Sequence, residues 1–142
     1  SWAAVERYRA KKAGDEFHQR LGENFRNWGI PTAVSLIETV QVVNLTVIAS
    51  GGVRSGLDVA KALALGANLA STSLPILQPA TKSTEEVKKT LQFMIEELRN
   101  TMFLAGAKSI QELRKASVVV TGKTAEWLRV RGFNPELYAK RK

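Results

Sequence analysis

The chain has 142 residues, 44% of them hydrophobic, and a formal net charge of +8. Its length suits about one domain, and the hydrophobic content supports a sizeable core, which excludes a disordered chain. Cysteine is absent, which excludes disulfides and thiolate metal sites and fits a reducing compartment. No apolar run approaches the roughly 18 residues of a membrane span and no signal peptide is visible, so we predict no membrane contact.

The basic residues are scattered along the chain. Only residues 7–12 and 140–142 form local clusters, and there is no basic stripe with interleaved aromatic residues, so nucleic acid is not predicted as a partner. Solvated surface charge accounts for most of these residues, although a basic balance also suits phosphorylated ligands.

The first residues are predicted to form a helix, with Ser1 as its N-cap and with Trp2, Val5 and Tyr8 on one face. Residues 13–28 are polar and mixed, which is typical of a loop with a short helix. His18 is the sole histidine. A lone histidine among charged neighbours is most often a surface or capping residue, so we give it no catalytic role.

Residues 34–43, VSLIETVQVV, fit two structures. The β-branched residues favour a strand, whereas Leu36, Ile37 and Val40 share one face of a helix. Periodicity alone does not decide between them. We predict the helix, because a parallel strand beginning at Thr46 needs a crossover before it.

Residues 46–77 carry the strongest pattern in the chain. The β-branched and apolar residues 46–50 predict a strand buried on both faces, and residues 68–71 predict a second, short strand. Between them, apolar residues at helical spacing predict a helix over residues 55–65 that Gly66 ends. Pro75 is predicted to open a short helix.

The glycine turn before the first of these helices indicates phosphate binding. Gly51-Gly52 allows a tight turn with no Cβ in the way, and Arg54 adds a cationic fork. The helix start near Ser55 and the turn at Ser73-Leu74 each offer free backbone N–H groups. In (β/α)8 barrels the loops after the last two strands often form such a site. A Gly-Gly pair by itself also fits a plain turn between strand and helix.

The second half of the chain is predicted to be helical. Residues 84–105 predict the longest helix, which Ser83 or Thr84 caps and Gly106 ends. Its broad apolar face is predicted to pack against the sheet and comprises Val87, Leu91, Met94, Ile95, Leu98, Met102 and Leu104.

The remaining residues predict small elements. Ser109 and Glu112 have the spacing of a capping box. Residues 118–120 are predicted to be a short strand or an extended run, and residues 124–131 a helix. Pro135 is predicted to be the first residue of a last helix.

Three separated segments resemble a known family. GGVRSGLDVAKALALGA resembles the phosphate-binding segment of FMN-dependent barrels, including the α-hydroxyacid oxidases and the type 2 isopentenyl-diphosphate isomerases. NWGIPTA and SWAAVE resemble the isomerases in the same order and spacing, and the tail resembles that of archaeal members. The oxidases carry Gly-Arg where this chain has Ser73-Leu74, which favours the isomerases. The chain is therefore identified as a member of the type 2 isopentenyl-diphosphate isomerase family.

The resemblance implies an α/β fold, namely the C-terminal part of a (β/α)8 TIM barrel with a helical tail. Residues 1–105 would form the last βα units of an FMN-binding barrel, and residues 106–142 a tail packed on it. Residues 30–33 would be a barrel strand, with Thr32 either facing the ligand or serving the structure. Because a helix is predicted from Ser1 with no strand before it, we expect the chain to pair with a missing N-terminal half of the barrel.

The implied function is the interconversion of isopentenyl and dimethylallyl diphosphate by a cytoplasmic homo-oligomer, with reduced FMN, Mg²⁺, and NADPH as the reductant of the flavin. The implied cofactor-binding residues are Gly51, Gly52, Val53, Arg54, Ser73 and Leu74. No residue here matches the family's catalytic or metal-binding positions, so the chain is expected to be inactive alone. The alternatives are another FMN-dependent TIM-barrel oxidoreductase and a non-catalytic phosphate-binding half-barrel.

Overall fold

The structure, a computed structural model, describes residues 2–141, and only the backbone of Trp2. The predicted N-cap at Ser1 lies outside the described residues. The chain divides into two compact units, Ser1–Ile30 and Pro31–Lys142. In chain order the elements are α1 (Trp2–Ala13), α2 (Glu16–Asn24), α3 (Thr32–Val42), β1 (Ile48–Ala49), α4 (Gly56–Ala64), β2 (Leu69–Ala70), α5 (Leu74–Ala80), α6 (Thr84–Leu104), α7 (Ile110–Lys115), α8 (Gly122–Val130) and α9 (Glu136–Ala139).

The first unit is a pair of helices, α1 and α2. Gly22 of α2 is buried, and a Cβ built on it would lie 3.0 Å from the carbonyl oxygen of Ala3, so the two helices pack closely. Asp15 caps α2 by accepting a hydrogen bond from the backbone N–H of His18 at 3.0 Å. The His18 ring lies 2.7 Å from the second carboxylate oxygen, and both contacts lower the pKa of Asp15. His18 is exposed, as predicted for a surface residue.

The second unit contains a β-α-β arrangement. β1 and β2 run parallel, with Ile48 opposite Leu69 and Ala49 opposite Ala70, and α4 is the crossover between them. Both strands predicted in this stretch are therefore present, but each is only two residues long. The prediction that the first is buried on both faces is wrong, since Ala49 is buried and Ile48 is exposed. Strand length depends on how far the partner remains in register, which local composition does not encode.

The strand predicted for residues 30–33 is absent from the described residues, so that prediction is wrong. Pro31 has no N–H to donate to a ladder, and it occupies the N-cap position of α3 with φ −57°. Thr32 is accordingly the first residue of a helix rather than part of a strand.

Residues 34–43 fitted either a helix or a strand by sequence, and the predicted helix is confirmed as α3. Leu36 and Ile37 are buried and Val40 is partly buried, as predicted. The main core joins α3 to β1, α4 and the last two helices. Its buried members are Val34, Leu36, Ile37, Ala49, Ala62, Leu65, Ala67, Leu128 and Tyr138.

The long helix is confirmed as α6, with Ser83 as its N-cap. Its main neighbours are α4 and α5, so the prediction that it packs against the sheet is wrong. Met94 of the predicted face is buried, and Val87, Leu98 and Met102 are partly buried. Leu91, Ile95 and Leu104 of the predicted face are exposed, because a helix that rests on other helices buries a narrower stripe than one covered by a sheet.

The C-terminal residues pack on the main core and on a second, smaller hydrophobic cluster. Leu113 of α7 packs with Ala60 and Leu63 of α4. Residues 118–120 form no strand within the described residues, but the N–H of Val118 donates to the Tyr138 carbonyl at 2.9 Å. Pro135 was predicted to be the first residue of the last helix, but it is the N-cap residue, and α9 begins at Glu136. The division of the chain after residue 105 stays a prediction.

Gly56→Ala is predicted to destabilise the fold. The added Cβ would lie 2.0 Å from the carbonyl oxygen of Met94 and 2.6 Å from the backbone nitrogen of Leu98, so α4 and α6 would have to separate. Overpacking costs typically about 1–3 kcal/mol, and a clash with backbone belongs at the upper end of that range. Urea unfolding of the protein measures the lost free energy of unfolding. Lys61→Ala, on the exposed side of α4, is the control. Equal stability of the two variants would contradict the close helix contact.

Candidate functional site

The candidate site lies at the carboxyl ends of β1 and β2. Because the two strands are parallel, the loop that follows β1 and the loop that follows β2 lie at the same edge of the sheet. The first loop contains residues 51–54 and the second contains Ser73, with Leu74 opening α5. The fold therefore brings together all six residues that the sequence predicted to hold a cofactor.

The first loop makes the tight turn that the sequence predicted. Gly51 and Gly52 have φ values of +92° and +81°, a region that favours glycine. A Cβ built on Gly52 would meet no atom within 4 Å. The backbone of Gly52 therefore faces open space, into which a ligand group could fit closely.

Two threonine hydroxyls hold this loop from its neighbours. The Thr32 Oγ1 donates to the Gly51 carbonyl at 2.6 Å, and the Thr72 Oγ1 donates to the Val53 carbonyl at 2.8 Å. Of the two roles that the sequence left open for Thr32, its hydroxyl therefore serves the structure. Thr72 belongs to the second loop, so its hydrogen bond joins the two halves of the site directly.

The loop presents donors that the protein itself does not use. Within residues 2–141, the backbone N–H groups of Gly51, Gly52 and Val53 donate to no protein acceptor. The N–H groups of Ser73 and Leu74 are likewise without a partner in that range. The side chain of Arg54 is exposed and forms no ion pair or hydrogen bond with the described residues. These groups together suit an anion with several acceptor oxygens.

The first turn of α4 differs from the sequence expectation, which counted on its free N–H groups. The Ser55 Oγ accepts from the N–H of Asp58 at 3.1 Å, and the Asp58 carboxylate accepts from the N–H of Arg54 at 3.1 Å. The N–H of Gly56 donates to the Glu97 carboxylate of α6 at 2.7 Å. The protein therefore satisfies the N–H groups of Arg54, Gly56 and Asp58 itself, and most of the donors left for an anion lie in the loop.

Sequence reasoning missed Asp58, Thr72 and Glu97. Asp58 had a local signal, because Ser55 and Asp58 have capping-box spacing. Thr72 is a single threonine at a strand end, and Glu97 is 41 residues from the glycine it contacts. No local pattern distinguishes these two residues from other polar residues.

The rest of the described chain contains neither a metal-binding cluster nor a membrane-spanning helix. Residues 2–141 contain no group of three or more His, Asp or Glu side chains arranged to hold a metal ion. No helix in the same range is both long and apolar enough to cross a membrane. A cavity of about 440 Å³ in the first unit is lined by α1 and α2, including Ala10, His18 and Gly22, and contains no glycine loop of this kind.

Comparison with known proteins gives consistent matches. The profile of the family described as FMN-dependent dehydrogenase matches residues 27–120, which include both loops. Proteins named isopentenyl-diphosphate delta-isomerase are similar to the chain in Methanothermobacter thermautotrophicus (50% identical over 141 residues), Methanosarcina barkeri (52% over 139) and Pyrococcus furiosus (49% over 142). The family resemblance inferred from three sequence segments is thereby confirmed.

The matches cover nearly all of this chain but only part of each relative. They cover 99%, 98% and 99% of this chain, but 39%, 38% and 35% of the three relatives in the same order. The chain therefore spans about two fifths of the length of the curated relatives it matches.

Thr72→Val is predicted to loosen the site. The variant keeps the side-chain shape but removes the donor to the Val53 carbonyl, and leaving a partly buried acceptor unpaired costs about 1–3 kcal/mol. The matched control is Thr90→Val, because the Thr90 hydroxyl bonds only to the Glu86 carbonyl within its own helix. Hydrogen exchange of the bonded N–H groups beside the loop, those of Arg54 and Gly56, should accelerate in the first variant alone. Unchanged exchange would show that Thr72 does not hold the loop.

Proposed function

The chain belongs to the FMN-dependent dehydrogenase family, and on that premise we propose that it is the flavin-phosphate-binding part of an isopentenyl-diphosphate isomerase. The observation that carries the proposal is identity of about 50% over nearly the whole chain with proteins of that name. The proposed reaction of the complete protein is the interconversion of isopentenyl and dimethylallyl diphosphate.

The site geometry fits the phosphate end of FMN. A phosphate monoester needs several donors in one place, and the unpaired N–H groups of Gly52 and Val53 supply two of them. The open space in front of Gly52 allows an oxygen to approach the backbone. Arg54, which has no acidic side chain paired with its guanidinium among residues 2–141, supplies the positive charge.

The proposed role of this chain is to bind and orient the cofactor. FMN, when bound, supplies the proton-transfer and redox chemistry of its isoalloxazine ring. Thr32 and Thr72 hold the loop through the Gly51 and Val53 carbonyls. Ser73 and Leu74 contribute backbone N–H groups from the second loop. We assign no catalytic side chain to the chain itself.

The proposed architecture is the C-terminal part of a (β/α)8 barrel. It is supported by the parallel β1-α4-β2 arrangement and by the greater length of the relatives. Ile48 and Leu69, which face each other in the sheet, are each 56% exposed. Neighbouring strands and side chains in the rest of the barrel would cover them. By analogy with the isomerase family, we also propose that the complete protein uses Mg²⁺ and takes NADPH as the reductant of FMN. The same analogy gives a homo-oligomeric state and a cytoplasmic location.

The oxidoreductase alternative has less support. The relatives compared above are all named isomerases. Where the oxidases carry Gly-Arg, this chain has Ser73-Leu74. The turn therefore supplies no second guanidinium group.

Gly52→Val is predicted to abolish FMN retention in the full-length protein. The branched side chain would fill the space where a phosphate oxygen approaches the backbone. Any side chain is also strained at this φ of +81°, and Gly132→Val controls for that, because Gly132 has the same φ and is equally open. Titration of the apo-protein with FMN should show a loss for the first variant only. Normal FMN affinity of Gly52→Val would remove this loop from the site.

The 142-residue chain is predicted to be inactive without the rest of the barrel. The assay is proton exchange at isopentenyl diphosphate with reduced FMN and Mg²⁺, first with the chain alone and then with the complementary N-terminal part of the Methanothermobacter relative. Activity is expected only in the mixture, and Gly52→Val in the chain should prevent it. Turnover by the chain alone would overturn the proposed division of the protein.

A further inference from the structure

We propose that Glu97 is a positioning residue for the phosphate-binding loop and that it acts through the backbone N–H of Gly56. The inference rests on the function proposed above, since it concerns the same loop. The Glu97 Oε2 accepts from the Gly56 nitrogen at 2.7 Å in a partly buried contact. Gly56 is the first residue of α4 and lies two positions after Arg54.

The contact exists because residue 56 lacks a side chain. The position of a Cβ on Gly56 is only 2.6 Å from the Glu97 Cβ and 2.0 Å from the Met94 carbonyl oxygen. α4 can therefore approach α6 closely enough for a glutamate on α6 to reach its first N–H. On the other side of Glu97, the Thr101 hydroxyl donates to the Glu97 carbonyl at 2.8 Å. The start of α4 is thus attached to the longest helix, α6, through Glu97.

The Glu97 carboxylate serves as a hydrogen-bond acceptor for the N-terminus of α4. It forms no ion pair with a cationic side chain among residues 2–141, whereas its neighbour Glu96 pairs with Arg99 at 2.6 Å. A carboxylate at a helix N-terminus satisfies an N–H that has no intrahelical partner. Glu97 therefore accepts the hydrogen bond of the Gly56 N–H, so this donor does not bind an anion in place of the loop N–H groups. The same contact fixes the position at which the loop ends and α4 begins.

Reach and charge can be separated by two conservative variants. Glu97→Gln keeps the length of the side chain and an acceptor oxygen but removes the negative charge. Glu97→Asp keeps the charge but is one methylene too short for the 2.7 Å contact. If the residue positions the loop, Gln should preserve FMN affinity and Asp should weaken it. If only its charge matters, Glu97→Asp should match the wild type and Glu97→Gln alone should change the FMN affinity.

The experiment is titration of the full-length apo-protein with FMN, combined with hydrogen exchange of residues 51–58 without ligand. For Glu97→Asp we expect an FMN dissociation constant raised about tenfold, as for the loss of one hydrogen bond to a partly buried group, together with faster exchange. Glu97→Gln should match the wild type or bind somewhat more tightly, because a negative charge near the phosphate is removed. Glu96→Gln is the matched control and should change neither measurement.

Each outcome decides the proposal. Weakened binding in Glu97→Asp with preserved binding in Glu97→Gln supports it. Equal affinity of Asp and wild type, or an equal loss in Asp and Gln, overturns it. Arg54→Ala in the same titration separates this from the proposed function: if Arg54→Ala binds FMN normally, the site itself is misplaced. If Arg54→Ala weakens binding while Glu97→Asp does not, only the positioning role fails.

Discussion

The close approach of α4 to α6 at Gly56 is the contact on which the candidate site depends. α4 is both the crossover between the two parallel strands and the element that ends the glycine loop. Its first residue is held by backbone proximity to Met94 and by a hydrogen bond to Glu97. A side chain at this position would move the helix, and with it the loop, so the geometry at the sheet edge follows from packing on the far side of α4.

The site divides its donors between two tasks. The N–H groups of Arg54, Gly56 and Asp58 are used within the protein, by a capping arrangement and by Glu97. Those of Gly51, Gly52 and Val53 are not used by any residue in the range 2–141. The affinity for an anion should therefore come mainly from the loop backbone and the Arg54 charge. Such a site relies on loop rigidity, which the Thr32 and Thr72 hydroxyls provide.

Local signals predicted the helices and the glycine turn well. The spacing of apolar residues and Gly66 gave α4, and the same reasoning gave α3 and α6. Features that depend on distant partners were predicted poorly. Strand length is set by pairing with a distant partner. Residues 30–33 form no strand, because Pro31 caps α3 and Thr32 begins that helix. Only part of the α6 apolar face is inward, because its main neighbours are helices. The Glu97 contact spans 41 residues and has no local signature at all.

The short and partly exposed sheet connects stability to ligand binding in the proposed barrel. Two strands of two residues bury little by themselves, and small isolated sheets are marginally stable in water. The same strands end at the phosphate-binding loops. Strands that completed the barrel would cover Ile48 and Leu69 and would also restrict the loops that follow them. A ligand that binds only the restricted loops stabilises the completed form by mass action. Cofactor retention and closure of the barrel should therefore be coupled, with each favouring the other by the same free energy.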